Sequence, residues 1–178
     1  MMQLVVNDIE ALTKPLEKFN FGNPQAEPNK FAKDLVDAMY KYKGLGLSAN
    51  QVGYPYTVFA MRGPEHDFVM FNPNIVAYSN ETITLEEGCL SFPELFLKLP
   101  RAQHLRIRFA DPNGDFSTHT FTGMTARIIQ HEYSHMLGKL FFEGCNRYKL
   151  EKAIKQAKKK GHNYEGMGLL KYVRKDNK

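Results

Sequence analysis

The sequence predicts an α+β domain in which mostly antiparallel or mixed β-sheets pack around a central helix, with a basic helix at the C-terminal end. Two observations predict this class. Seven short β-type segments follow one another without helices between them, which favours antiparallel or mixed pairing. Helical patterns lie before and after these segments. The 178 residues, 43% of them hydrophobic, suffice to bury one core.

The first helix is predicted to begin at Asn29, as its N-cap, and to run to about Lys43. Its apolar positions have helical spacing: Phe31, Leu35, Ala38, Met39 and Tyr42. Gly44 would follow the helix end, where glycine most easily adopts a left-handed turn. Residues 44–51 are mostly small, which predicts an extended loop that another group approaches closely.

The β-type segments are rich in Val, Ile, Thr and Phe: residues 56–61, 68–71, 75–78, 81–86, 95–99, 104–109 and 116–121. Gly, Pro and Asn predict turns between them, at residues 62–64, 72–74 and 111–114. A largely buried helix is then predicted from Gly123 to Leu137, with Thr122 as N-cap and Gly138 at its end. The last helix, at 147–160, has one apolar face and one face of lysines.

Charge divides the chain near residue 146. The formal net charge is +5, but residues 1–146 carry 13 basic and 16 acidic side chains, whereas residues 147–178 carry 11 and 3. We therefore expect a slightly acidic body at 1–146 and a basic C-terminal helix and tail at 147–178. Any contact with nucleic acid should then involve the tail, whose last cations are Lys171, Arg174, Lys175 and Lys178.

The sequence predicts neither a membrane span nor an export signal. Its longest apolar runs are only a few residues, and the first residues, MMQLVVNDIE, lack a basic region before an apolar stretch. The two cysteines, Cys89 and Cys145, cannot build a disulfide framework, although one disulfide between them is compatible with the count. We expect a cytoplasmic protein with no membrane partner, in which a cysteine binds a metal ion or takes part in catalysis.

The central helix contains His131-Glu132-Tyr133-Ser134-His135. Histidines at i and i+4 share one helical face, so both imidazoles can reach one metal ion, and Glu132 can act beside them as a general base. The alternative is that these are ordinary histidines on the helix surface, whose spacing arises by chance. A buried helix carrying two histidines and a glutamate without partners would be costly, which favours the metal site.

The third ligand separates several hypotheses. A metzincin-type protease would need a histidine where this chain has Phe141, which cannot coordinate a metal. A thermolysin-like protease would use a later glutamate, for which Glu143 and Glu151 are the candidates. Cys89, in residues 87–91, offers a strong thiolate ligand, although most free cysteines are simply small buried side chains.

Three uncommon segments resemble, in order and spacing, the signature motifs of peptide deformylases: residues 44–51 (GLGLSANQ), 87–91 (EGCLS) and 130–135 (QHEYSH). The resemblance runs from about Lys30 to Phe142, with two smaller matches at 99–101 (LPR) and 137–141 (LGKLF). It implies an enzyme that removes the formyl group from the N-formylmethionine of nascent peptides. The remaining hypotheses are a metalloprotease with the HExxH motif and a non-enzymatic, metal-containing module associated with the ribosome.

The resemblance also implies the site. One divalent metal ion, Fe²⁺ in the cell with Zn²⁺, Ni²⁺ or Co²⁺ as substitutes, would be held by Cys89, His131, His135 and water. Glu132 would move the proton, while the Gln51 amide and the Leu90 backbone N–H would stabilise the oxyanion. The substrate-binding positions are Leu45, Gly46, Leu85, Glu87, Gly88, Met124, Arg127 and Ile128.

The chain departs from the family pattern at Arg127, where an aliphatic residue is usual. Its guanidinium would either reach solvent past a packed stem or contact the bound peptide. Ser48, Asn50 and Ser134 are further departures. For the tail, a solvated face, aided by a Glu151–Lys155 pair, is weighed against docking on the ribosome through phosphate contacts. We expect a monomer.

Overall fold

The computed structural model describes residues 2–173, so Arg174, Lys175 and Lys178 of the predicted tail lie outside the described residues. The helices are α1 (Ile9–Thr13), α2 (Pro28–Lys41), α3 (Gly123–Met136) and α4 (Arg147–Lys159), with 3₁₀ turns at Ala49–Val52 and Leu169–Lys171. The strands are β1 (Gly46–Ser48), β2 (Val58–Met61), β3 (Phe68–Tyr78), β4 (Thr82–Cys89), β5 (Phe92–Ala102), β6 (His104–Ala110) and β7 (Phe116–Thr122).

The strands form two antiparallel sheets, a five-stranded one in the order β1-β2-β3-β6-β7 and the β4-β5 hairpin. Helix α3 contacts strands of both sheets. The predicted α+β class, with antiparallel sheets around a central helix, is thus confirmed. Because α3 lies between the sheets, side chains on it can meet side chains from either one.

The turn predicted at residues 72–74 is wrong, since β3 continues through it. Its pairing with β6 shifts register between Phe71 and Asn74, which is how a strand accommodates a proline that cannot donate a ladder hydrogen bond. The Asn72 side chain accepts a hydrogen bond from the Phe19 backbone at 2.8 Å and holds this irregular position. The segment predicted as a loop at 44–51 contains the short strand β1, which pairs with β2.

Helix α2 begins and ends slightly earlier than predicted. Glu27, not Asn29, is its N-cap, and the Glu27 carboxylate accepts hydrogen bonds from two backbone N–H groups of the first turn. The left-handed residue after the helix is Lys43, with φ of 58°, rather than Gly44. Gly44 is required for space instead, because a Cβ there would lie 2.8 Å from the carbonyl oxygen of Gly46.

The basic helix α4 is part of the core. One hydrophobic cluster joins Cys89 and Phe92 to the apolar face of α4, which consists of Leu150, Ala153, Ile154 and Ala157. The change of charge at residue 146 is therefore not a boundary in packing. The expected Glu151–Lys155 pair is also replaced, because Glu151 accepts from Arg147 Nε at 2.8 Å.

Within residues 2–173, no helix combines the length and the apolar character needed to cross a bilayer. The longest helices, α2 and α3, have 14 residues each. Both cysteines are free thiols in the structure, so the disulfide considered for Cys89 and Cys145 does not form.

We predict that Leu150→Ala lowers the free energy of unfolding by about 2–5 kcal/mol, because Leu150 is fully buried between α4 and the cluster around Cys89. Urea unfolding followed by circular dichroism measures the change. The control is Lys152→Ala on the exposed face of α4, which should stay within about 0.5 kcal/mol of the parent. Equal stability of both variants would contradict the packing described for α4.

Candidate metal centre

Helix α3 carries three of the predicted site residues. It begins after Thr122, whose side chain makes no capping hydrogen bond, and the chain leaves it through Gly138 at φ of 64°. His131 and His135 lie one turn apart on the same face, and both are buried, with His135 fully enclosed. Glu132 lies beside them and is only 3% exposed. The helix thus presents two imidazoles and one carboxyl to the interior.

Cys89 approaches these histidines from the two-stranded β4-β5 sheet. It is the last residue of β4, where a register shift between Glu87 and Cys89 interrupts the hairpin. The candidate ligand atoms of Cys89, His131 and His135 all lie within 4.8 Å of one another, and Cys89 Sγ is 3.5 Å from His135 Nε2. No other such cluster of His, Cys, Asp or Glu occurs in the described part of the chain.

The electrostatics of this trio fit a transition-metal ion. Burial raises the pKa of the Cys89 thiol to about 12 and holds the pKa of His135 well below its usual range, so the imidazole is neutral. In residues 2–173, His135 Nδ1 and Glu132 Oε2 are buried without a hydrogen-bond partner. A thiol and two imidazoles suit iron or zinc, whose charge would favour the thiolate that burial opposes.

Glu132 occupies a site that only glycine at position 46 leaves open. A Cβ built on Gly46 of β1 would lie 2.5 Å from Glu132 Oε1, so a larger residue there would displace the carboxyl. Burial raises the pKa of Glu132 to about 8, and the neighbouring charge of Glu87 acts in the same direction. The first and third sequence motifs are therefore in direct contact.

Hydrogen bonds fix both the oxygen and the nitrogen of the Gln51 side-chain amide. Its Oε1 accepts hydrogen bonds from the backbone N–H and the hydroxyl of Ser48, both at 3.0 Å. Its Nε2 donates to Ser91 Oγ at 3.1 Å and lies 3.4 Å from Cys89 Sγ. Ser91 is not among the predicted site residues, and its only signal in the sequence is its place two residues after Cys89.

Asn50, within the first motif, has a structural use. Its Nδ2 donates to the carbonyl of Leu12 at 3.1 Å and to the carbonyl of His135 at 3.4 Å. The second contact ties the loop of the first motif to the C-terminal turn of α3. The Asn50 amide thus donates to the Leu12 carbonyl and adds a second donor to the His135 carbonyl, which also accepts from the Gly138 backbone N–H at 3.0 Å.

Two arginines and a histidine surround Glu87. Arg101 donates from Nε at 3.0 Å and from Nη2 at 2.9 Å, Arg127 Nη1 donates to Oε1 at 2.5 Å, and His131 Nδ1 lies 3.4 Å from Oε2. Burial alone would raise the pKa of Glu87, but hydrogen bonds from His131 and Arg101 outweigh it and lower the pKa to about 2. Arg101 is not among the predicted site residues, and its only signal in the sequence is its place in the match at residues 99–101.

The prediction that the Arg127 guanidinium reaches solvent is wrong. The side chain is 5% exposed. Besides Glu87, Nη1 donates to the Leu99 carbonyl at 3.0 Å, and Nη2 donates to the carbonyl of Ile83. Both terminal nitrogens therefore already have acceptors within the protein, which argues against the direct contact with a bound peptide that the sequence allowed.

A cavity of about 530 Å³ opens onto these residues. Most predicted site residues line it: Leu45, Gly46, Gln51, Glu87, Gly88, Cys89, Leu90, Met124, Arg127, Ile128, His131 and Glu132. Leu85 does not line it; the side chain is 40% exposed, and Glu86 and Glu87 line the cavity instead. Phe96 also lines the cavity but was not among the predicted site residues. It packs closely on Gly88, since a Cβ built on Gly88 would lie 2.6 Å from Phe96 Cε1.

Comparisons with known proteins agree with this geometry. A sequence profile of the family described as polypeptide deformylase matches residues 1–151. The chain is 34% identical over 130 residues to a peptide deformylase of Thermotoga petrophila, covering 73% of this chain and 76% of that one. It is 33% identical over 156 residues to a peptide deformylase of Brucella suis, covering 85% and 86%.

A solved structure shares the fold over almost the whole chain. The peptide deformylase of Synechococcus elongatus, in complex with actinonin, superposes with a TM-score of 0.82 at 28% identity, covering 97% of this chain and 90% of that one. The family profile spans well over half of the sequence, and relatives above 30% identity share most of its length. The chain belongs to the polypeptide deformylase family.

Proposed function

We propose that Glu132, Gln51 and the backbone of Leu90 carry out the hydrolysis that this chain, as a deformylase, performs on the N-formyl group of nascent peptides. The observation that carries the proposal is the cluster of three ligand-bearing side chains, two of which, Cys89 and His131, line one cavity together with the buried Glu132. Cys89, His131 and His135 would hold the metal ion, for which we propose Fe²⁺ in the cell and Zn²⁺, Ni²⁺ or Co²⁺ as substitutes. When bound, the ion supplies a Lewis acid that polarises the formyl carbonyl and acidifies water.

Glu132 is placed to move the proton. It lines the cavity and lies next to both histidines on α3, and its Oε2 has no hydrogen-bond partner among residues 2–173. In the proposed step, a Glu132 oxygen takes the proton from the attacking water and later gives it to the amine that leaves the formyl group. The water oxygen forms a new bond to the formyl carbon, and the bond between that carbon and the peptide nitrogen breaks. The products are formate and a free amino terminus.

Gln51 and Leu90 would stabilise the negative charge on the formyl oxygen. The Gln51 amide group is fixed by Ser48 and Ser91, so its Nε2 is oriented near Cys89 before substrate arrives. Leu90 follows Cys89 directly and lines the same cavity. Donors that are held in place in this way need no reorganisation when charge develops in the transition state.

The peptide would bind as an added strand. Strand β1 is an outer strand of the five-stranded sheet, and its residue Gly46 and the preceding Leu45 line the cavity. Main-chain pairing with such an edge reads few side chains, which suits an enzyme that acts on many N-formylmethionyl peptides. Met124 and Ile128, which line the cavity, would provide the apolar wall for the methionine side chain.

The Glu132→Ala variant should release formate from a formyl-methionyl peptide about 10²–10⁴-fold more slowly, because the proton carrier is lost. A formate assay under anaerobic conditions with Fe²⁺ measures the rate, and metal content is determined on the same samples. Glu65→Ala, which changes an exposed carboxylate away from the cavity, is the matched control. Full activity of a metal-loaded Glu132→Ala variant would contradict the assignment.

We also propose that the chain works in the cytoplasm as a monomer and contacts the ribosome through α4. Lys149, Lys152, Lys155 and Lys159 are exposed on this helix, and the described residues place no carboxylate within ion-pair distance of them. Lys158 and Lys160 differ, since they pair with Glu165 and Glu94. A row of unpaired ammonium groups on a rigid helix is suited to phosphate contacts.

Replacing Lys149, Lys152 and Lys155 with Gln should weaken co-sedimentation with ribosomes, and the difference from the parent should shrink as salt rises. Substitution is preferable to truncation, because α4 is part of the core. The control replaces Lys14, Lys30 and Lys33, three exposed lysines elsewhere, with Gln. Unchanged sedimentation of the α4 variant at low and high salt would refute the contact.

A further inference from the structure

Arg127 is a buried cation in the wall of the cavity, and its partners explain how it is tolerated. A charge so enclosed is costly unless it is paired and its hydrogen-bonding groups are satisfied. Arg127 meets this condition with one carboxylate, that of Glu87, and two backbone carbonyls, those of Ile83 and Leu99. Every one of these contacts lies outside its own helix.

These contacts join the two parts of the fold that carry the candidate metal ligands. Ile83 and Glu87 belong to β4, which ends at Cys89, and Leu99 belongs to its partner β5. Arg127 itself lies on α3, one turn before His131. One guanidinium therefore fixes the β4-β5 hairpin, which carries the thiol, against the helix that carries both imidazoles.

The same guanidinium acts on the orientation of a ligand. Arg127 Nη1 donates to Oε1 of Glu87, whereas Oε2 faces His131 Nδ1 at 3.4 Å. Arg101 contacts both oxygens from a position nearer to solvent, with 16% of its side chain exposed against 5% for Arg127. With Nδ1 directed to a carboxylate, the remaining nitrogen of the His131 ring is the one available to a metal ion.

We propose that Arg127 is a positioning residue of the metal centre: it sets the carboxylate of Glu87 that orients His131, and it fixes the distance between the hairpin and α3. This inference rests on the metal site of the proposed function. Arginine suits the task because its planar fork donates to several acceptors at once, whereas lysine offers a single compact ammonium group and methionine offers no donor.

The first experiment measures metal affinity rather than activity. Zn²⁺ affinity is determined by competition with a chromophoric chelator for the parent, Arg127→Met and Arg127→Lys. Loss of an outer partner of a metal-binding histidine typically weakens affinity about 10–100-fold, so we expect at least a 10-fold loss for Arg127→Met and an intermediate value for Arg127→Lys. Arg106→Met, which removes an exposed arginine of β6, should bind as the parent does.

A double-mutant cycle tests whether Arg127 acts through Glu87. We expect Glu87→Gln to weaken Zn²⁺ binding, and the Glu87→Gln/Arg127→Lys double variant to be less impaired than the product of the two single effects. Parent-like affinity of Arg127→Lys and Arg127→Met, or independent effects in the cycle, would overturn the proposal. If Arg127→Met does not fold, Arg127→Lys and the cycle still decide. Absence of Zn²⁺ binding by the parent would instead refute the metal site itself.

Discussion

The site depends on the ion pairs and hydrogen bonds made by one buried carboxylate, that of Glu87. Two arginines from different elements and one histidine converge on it, so a single charge joins β4, β5 and α3. Pairing on this scale offsets the cost of taking the carboxylate out of water, and removing one partner would leave an uncompensated charge in the interior. The position of Cys89 relative to the two histidines of α3 follows from this junction.

Burial then gives the neighbouring groups their chemistry. Enclosure keeps His135 neutral, raises the pKa of Glu132 to about 8 and opposes ionisation of Cys89. A divalent cation among the three ligand atoms would reverse the last effect and satisfy the donor set. The glycine at position 46 provides the space for Glu132, so the outer strand β1 and the buried carboxyl of α3 meet at one contact.

Much of the site could be predicted because its signals are local. Histidines at i and i+4 on a helix must share a face, whatever the rest of the fold does. The side-chain contacts of Arg127 could not be predicted, since its acceptors lie 28 to 44 residues away on the hairpin, and an arginine is ordinarily exposed. The turn predicted around Pro73 is wrong for a similar reason. Only the pairing of β3 with β6 reveals that the proline lies at an irregularity within a strand and not in a turn.

The metal centre requires that Cys89, His131 and His135 together bind one metal ion. X-ray absorption at the zinc K-edge of protein loaded with one equivalent of Zn²⁺ tests it most directly, with Cys89→Ala as the comparison. One sulfur and two imidazole nitrogens are expected around the ion in the parent, with loss of the sulfur in the variant. A shell of nitrogen and oxygen alone in the parent, as expected if the histidine pair worked with a carboxylate, would contradict it.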